Sequence, residues 1–437
     1  MERTMKESGI EWVGKIPENW YVLRNKNCFV LEKNIVGDKF EQYDLLSLTK
    51  KGIVKKSKDN AFGKTPESYD TYQSVKKGQI VMCLFDLDMS AVFSGLSDYD
   101  GMISPAYKTY NCNSNILNSF AKYWFEYCFD GRKYKIYSKS LRYVVNADDF
   151  GGIKIVVPPM EEQEKIVEFL DDRIKEIDAV ILQTKKSIDE YKKYKQTLIT
   201  EIVTKGFDKD VVLKDSSIDY LGEIPEHWNI APLSVLLCFI GGYAYKSDRF
   251  CDETDNQVIR LGNVKNNYFI LDEKQVFIDD DYAQESEKCR ILENDILFTM
   301  TGTKGKKDYF FTLIVKKEHL QNRKLFINQR VGCLRSLNEK VYMPYYNYLL
   351  KYEPLTDYVF LFETGTANQG NLGIESISTL KLLLPPLEEQ KSIVEHLDTK
   401  CKEIDDLIIK KEVFIDEMEA YKKSLIYEYV TGKKEVL

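Results

Sequence analysis

No apolar run in this 437-residue chain approaches the roughly 20 residues that a membrane span needs, and the opening stretch MERTMKESGIEW has no signal-peptide core. No membrane role is therefore expected, and a cytoplasmic location is. The nine cysteines form no CxxC pair, which points to reduced thiols and away from a disulfide framework or a zinc site. The three histidines, at 227, 319 and 396, share no metal-ligand spacing, so no metal is expected. Also missing are a GxxxxGK phosphate loop, a Gly-rich dinucleotide or S-adenosylmethionine loop, an Asn/Asp-Pro-Pro-aromatic motif, and any plausible nucleophile–base group. These absences predict no cofactor and no catalysis by this chain. What they leave is a binding protein. At 43% hydrophobic and 13% aromatic residues it can build real cores, and its length suits about three domains.

What the sequence does have is an echo. PPMEEQEKIVEFLDDRIKEID (residues 158–178) returns as PPLEEQKSIVEHLDTKCKEID (residues 385–405), with 14 of 21 positions identical at an offset of 227. A shorter pair, WVGKIPENW (12–20) and YLGEIPEHW (220–228), repeats at an offset of 208. Each half therefore reads as a short head, a divergent domain, and a similar helix. The boundaries expected are 1–157 for the first domain with its IPENW head and 158–206 for the first long helix. A linker with the IPEHW head follows at 207–228, then the second domain at 229–384 and the second long helix at 385–437. Alignment by eye finds no further similarity between the two domains.

Two prolines followed by Glu-Glu-Gln start a helix, because proline is tolerated in the first turn and carboxylates favour the positive end of the helix dipole. From there Ile166, Leu170, Ile177, Ile181, Ile188 and Leu198 recur at spacings near 3.5, as do Ile393, Leu397, Ile404, Ile408, Ile415 and Leu425 in the second copy. This is a heptad seam, interrupted by Thr184 and Lys195 in one helix and by Lys411 and Lys422 in the other. Two such helices most simply bury their seams against each other as a coiled coil. An approximate two-fold relation between the repeats sets them antiparallel. At about 44 residues each, the rod is roughly 66 Å long. The Pro and Trp of each head predict a turn with an anchored aromatic, packed on the same element in both halves.

Net charge is −7, but it is uneven. Residues 21–157 hold 20 Lys+Arg against 15 Asp+Glu, a net +5, and residues 229–384 hold 19 against 20, a net −1. The helical regions 158–219 and 385–437 hold 11 against 15 and 9 against 13, so the acid lies mainly on the helices. An acidic chain binds nucleic acid when its basic groups share a face. In the first domain Arg132, Lys133, Lys135, Lys139 and Arg142 interleave with tyrosines including Tyr143, a pattern that suits a phosphate backbone and stacked contacts. In the second, NDILFTMTGTKGKK (294–307) runs an apolar strand into a turn bearing Thr301, Thr303, Lys304, Lys306 and Lys307. Two further stretches offer Gln329 and Arg330, and Asn368, Gln369 and Asn371. Arg pairs naturally with guanine, and Asn or Gln with adenine.

The IPExW head, the divergent domain, the PPxEEQ helix and the repetition of all three resemble the specificity subunit of type I restriction–modification enzymes. GMISPAY (101–107), IRLGNV (259–264), DILFTMTGTKGK and FINQRVGCLR (326–335) also look like segments of that family's target-recognition domains. The resemblance implies an α+β chain with two mixed α/β target-recognition domains separated by two long helices in an antiparallel coiled coil, an internal pseudo-two-fold repeat. It implies that each domain reads one half of a split, asymmetric target in double-stranded DNA. It also implies that the chain docks two adenine-methylating modification subunits, with restriction subunits joining through the assembled complex. The alternative from another class is a coiled-coil scaffold with two protein-binding domains. The +5 first domain counts against it.

Overall fold

Both Pro-Pro-x-Glu-Glu-Gln segments do start long helices, Met160–Lys205 of 46 residues and Leu387–Val430 of 44 residues. The computed structural model describes residues 3–58, 68–138, 143–208, 210–366, 368–373 and 377–436. The chain divides into two compact units, Met1–Lys186 with Lys411–Leu437, and Ser187–Lys410. Each unit thus contains one mixed α/β domain, a segment of the helix that follows it, and a segment of the other helix. No helix among the described residues is long and apolar enough to cross a membrane.

In the first unit a four-stranded antiparallel sheet comprises β1 (Phe29–Glu32), β2 (Ile80–Met82), β3 (Ser94–Leu96) and β4 (Lys108–Cys112), in the order β1-β4-β2-β3. Helix α1 (Asn118–Phe129) follows, burying Phe120, Tyr123, Trp124 and Phe125, and then comes the long helix α2 (Met160–Lys205). In the second unit the corresponding strands are β5 (Leu237–Gly241), β6 (Ile296–Thr299), β8 (Thr312–Ile314) and β9 (Val331–Ser336), with a short β7 (Thr301–Gly302) between β6 and β8. Their order is β5-β9-β6-β8, the same path as in the first unit. Each unit also places a parallel pair at the same points of the chain: Leu45–Thr49 with Gly101–Ile103, and Asn256–Ile259 with Lys324–Ile327. The duplication therefore extends through the domains whose sequences show no alignment by eye. The central strands β2 and β6 are buried at every residue and need only be apolar, so their identities drift while the path is kept.

Both domains are closed at the helix start in one way. Tyr21–Arg24 pairs antiparallel with Lys154–Val157, and Asn229–Pro232 with Lys381–Leu384, so the entering and leaving chains are zipped together just before the two prolines. The heads lie beside these pairs. Trp20 and Trp228 are fully buried, each near the glycine that ends a long helix. A Cβ on Gly432 would come within 2.4 Å of Pro17, and one on Gly206 within 3.7 Å of the Trp228 ring. Both glycines sit at positive φ, +70° and +75°, where glycine ends helices without strain. The Trp20 indole donates to Glu162 at 2.9 Å, whereas in the second copy the equivalent Glu389 is bonded to His227 at 2.8 Å.

The seam divides with the units. In the first, Ile166, Leu170, Ile177 and Ile181 share a core with Leu425 and the half-buried Ile415. In the second, Ile393 and Leu397 share a core with the half-buried Leu198, while Ile188, Ile404 and Ile408 are also buried. Burying each such side chain contributes about 1.5–3 kcal/mol. Inside the first unit the two helix segments run antiparallel: the Phe169 ring lies 4.5 Å from that of Tyr429, and Lys422 reaches Asp178 at 2.8 Å. Inside the second they do so too, with Lys195 reaching Asp405 at 2.6 Å and Phe207 stacked on His396. Two of the three lysines that interrupt the heptad pattern, Lys195 and Lys422, therefore form ion pairs across the seam.

Candidate nucleic-acid interface

In the second unit the fold gathers the three sequence-predicted stretches. Strand β7 pairs with β11 (Gln369–Asn371), which pairs with β10 (Thr364–Thr366), so the TGTKGK turn and the ANQGN segment form one three-stranded sheet. Gln329 and Arg330 lie next to it, because the Arg330 carbonyl accepts from Met300 N–H at 3.1 Å, where β6 ends and β9 begins. Thr301 faces Asn371 in register, and Thr301, Thr303, Gln369 and Asn371 are half-buried. Lys304, Lys306, Lys307, Gln329, Arg330 and Asn368 are exposed.

The turn is held from behind by acids that the sequence reading did not pick out. Lys307 pairs with Asp357 at 2.6 Å, Gly305 N–H donates to Glu363 at 2.9 Å, and Lys304 donates to the Gly365 carbonyl at 3.1 Å. Inside the turn Asp308 accepts from Thr303 N–H at 2.7 Å, and its hydrogen bonds with Thr303 lower its pKa. Gly365 is required where it stands: its φ is +119° and a Cβ would lie 2.1 Å from the Gln369 carbonyl. Beside Gln329 and Arg330 opens a hollow of about 590 Å³ that Arg260, Lys265 and Lys274 also line. No local motif in the sequence marks these three cations as a group, although Arg260 belongs to the IRLGNV stretch. The hollow has one carboxylate, Glu273. Taken together the surface offers cations for phosphate oxygens and Arg, Gln and Asn for base edges.

The first unit presents its basic stretch differently. Asp130–Tyr137 is a 3-10 segment kinked at Gly131 and Arg132, with φ of 71° and 54°. Arg132 donates to the Ser90 carbonyl at 2.6 Å, with its guanidinium 4.5 Å over the Phe129 ring. Lys133 lies 4.2 Å over the Tyr127 ring and donates to the Asp130 carbonyl, and partial burial lowers its pKa against the pull of Asp130. Lys135 lies 4.3 Å over Tyr143, which is half-buried. Cation–aromatic alternation is thus satisfied within the domain. Lys139 and Arg142 lie outside the described residues.

Among the described residues, no group of three or more His, Cys, Asp or Glu is placed to hold a metal ion. Burial pushes the Cys28 thiol up to about 11 and the Cys112 thiol up to about 12, so neither is a thiolate near neutral pH.

The comparisons with known proteins agree with one another. Residues 96–190 and 225–413, well over half of the chain, match the family model described as the type I restriction modification DNA specificity domain. The type I restriction enzyme MjaVIII specificity subunit of Methanocaldococcus jannaschii is 29% identical over 288 residues, covering 65% of this chain and 63% of that protein. A second specificity subunit of that organism is covered over 61%, so the chain spans a little over three fifths of these curated relatives. A chain from a structure of the type I R-M system is similar with a TM-score of 0.72, at 14% identity, over 96% of this chain and 99% of that one. The HsdS subunit from Thermoanaerobacter tengcongensis gives a TM-score of 0.52 at 15% identity, over 96% and 98%. At such identities the two structures speak for the fold alone.

Proposed function

The chain belongs to the type I restriction–modification DNA specificity family, and from that premise we propose that it is a non-catalytic address reader in the cytoplasm. Each unit's domain reads one half of a split target in double-stranded DNA. The helices dock two modification subunits that methylate adenine, and restriction subunits join through that assembly. Because the two domains present different side chains, the half-sites differ. In the second unit Lys304, Lys306 and Lys307 meet phosphates, while Gln329, Arg330, Asn368, Gln369 and Asn371 meet base edges.

One observation carries the ruler part of this reading. Lys195 pairs with Asp405 in one unit and Lys422 with Asp178 in the other, and a shift of 227 residues converts the first pair into the second. A pair that exchanges its members under the repeat is what an isologous, two-fold interface produces. It supports an antiparallel coiled coil with a pseudo-two-fold axis, in which helix length sets the number of unread base pairs between half-sites.

Salt tests the DNA part. The chain assembled with its modification subunits should bind its target about a thousandfold or more weaker at 200 mM salt than at 50 mM, as expected for six or more phosphate contacts. Binding to duplex DNA that does not respond to salt, or no binding at all, favours the protein scaffold.

A further inference from the structure

The shared strand path puts residues 83–93 of the first unit where the second has residues 300–311. Each stretch joins the two hairpin strands of its sheet, β2 to β3 and β6 to β8. Each is also braced by a later stretch of its own domain, which in the second unit is the helix Glu353–Phe360 and the residues just after it. In the second unit the brace is Asp357, Glu363 and Gly365, holding the TGTKGK turn. In the first it is the basic stretch: Arg132 donates to the Ser90 carbonyl, the Tyr143 carbonyl accepts from Leu87 N–H at 3.4 Å, and Val145 N–H donates to the Leu84 carbonyl at 2.8 Å.

The charges of turn and brace are exchanged between the units. In the second the turn carries cations and the brace carries acids. In the first the turn carries Asp86 and Asp88, and the brace carries Arg132, Lys133 and Lys135, which already lean on rings of their own domain. The tip of the first turn points outward: the Met89 side chain is 81% exposed, Asp86 is exposed and Asp88 half-buried. Among the described residues neither carboxylate has a hydrogen-bond or ion-pair partner.

We propose that residues 83–93 form the base-reading element of the first unit, with Asp88 and Met89 as specificity-determining residues and Arg132 as the positioning residue that sets their turn. The inference rests on the DNA-specificity reading and deepens it. An ionised carboxylate only accepts hydrogen bonds, and the donors on the major-groove edge are the amino groups of cytosine and adenine. The Met89 thioether supplies an apolar contact of the kind a thymine methyl takes. The first half-site therefore contains a cytosine or adenine read by a carboxylate, whereas the second is read by cations and amides.

The test uses the full chain with its own modification subunits, mapping methylated adenines for the unaltered protein and for Asp88→Asn, Met89→Ala, Arg132→Gln and Arg132→Lys. Asp88→Asn should cut base discrimination about tenfold at one position of one half-site and leave the other half-site intact. Met89→Ala should weaken preference at a neighbouring position. Its exposed side chain makes misfolding no explanation for the change. Arg132→Gln should relax the same half-site, with partial rescue by Arg132→Lys, whereas a merely structural role would lower the yield at an unchanged motif. Unchanged position preferences in both Asp88→Asn and Met89→Ala would overturn the proposal while leaving the DNA-specificity reading standing. Absence of any chain-dependent motif with the unaltered protein would sink that reading, and this inference with it.

Discussion

Replacing Gln163 or Gln390 by alanine should destabilise the unit that contains it by about 3–5 kcal/mol, out of the 5–15 kcal/mol typical of a domain. These glutamines end the repeated Pro-Pro-x-Glu-Glu-Gln motif, and both are fully buried. The Gln163 amide oxygen accepts from Leu117 N–H at 2.8 Å, and its NH₂ donates to the Asn115 and Pro158 carbonyls, each at 3.0 Å. Gln390 makes the equivalent set with Tyr342 N–H and the Lys340 and Pro385 carbonyls, each at 2.9 Å. Leu117 and Tyr342 are the residues before helices Asn118–Phe129 and Met343–Leu349. One side chain thus joins the start of a long helix to the start of a domain helix. Alanine strands one buried carbonyl, that of Pro158 or Pro385, and two part-buried backbone groups, at about 1–3 kcal/mol each, less whatever water and relaxation recover. Hydrogen exchange followed separately in the two units would check this. Loss of protection confined to the altered unit is expected, and an equal loss in both would contradict the assignment of each glutamine to its own unit.

Lengthening the helices should have the larger effect on function. Four residues inserted between Lys186 and Ser187, and four between Val413 and Phe414, add about 6 Å of helix and leave about 40° of residual rotation. The boundary of the units falls close to both points, and the ion pairs Lys195–Asp405 and Lys422–Asp178 each stay within one unit. Neither reading surface is altered. The expected result, read from the methylated motif, is the same two half-sites with roughly one to two more base pairs between them, since a base-pair step is about 3.4 Å. A change in the half-site sequences themselves would show that the rod and the readers are not separable.

The sequence made the helices legible because an amphipathic helix writes its contacts at a fixed period, and Ile166, Leu170, Ile177 and Ile181 could be picked out from that alone. It also marked Lys195 and Lys422 as interruptions without revealing their partners, since an ion pair between distant residues leaves no local period. The glutamines belong to the repeated motif yet carry no sign of burial in the sequence: Gln after two Glu reads as a polar first turn until the domain is folded over it. The common sheet path was hidden for another reason. β2 and β6 each need only a few apolar residues, and many sequences supply them. The candidate interface was partly visible. Lysines and amides on Gly-rich turns stand out, but the closeness of residues 301–307 to 364–371 comes from strand pairing across some sixty residues. The acids behind the turn and the hollow lined by Arg260 were likewise products of the fold. In the first domain the cation–aromatic alternation is legible in the sequence, whereas the rings that Arg132, Lys133 and Lys135 lie over, Phe129, Tyr127 and Tyr143, are set by the fold.

The most direct measurement is a genome-wide map of methylated adenine in the host with this gene intact and with it deleted. The account predicts a split, asymmetric motif that is present with the gene and vanishes without it, in a host whose modification subunits are expressed and bind the purified chain. Identical maps in that setting would contradict it.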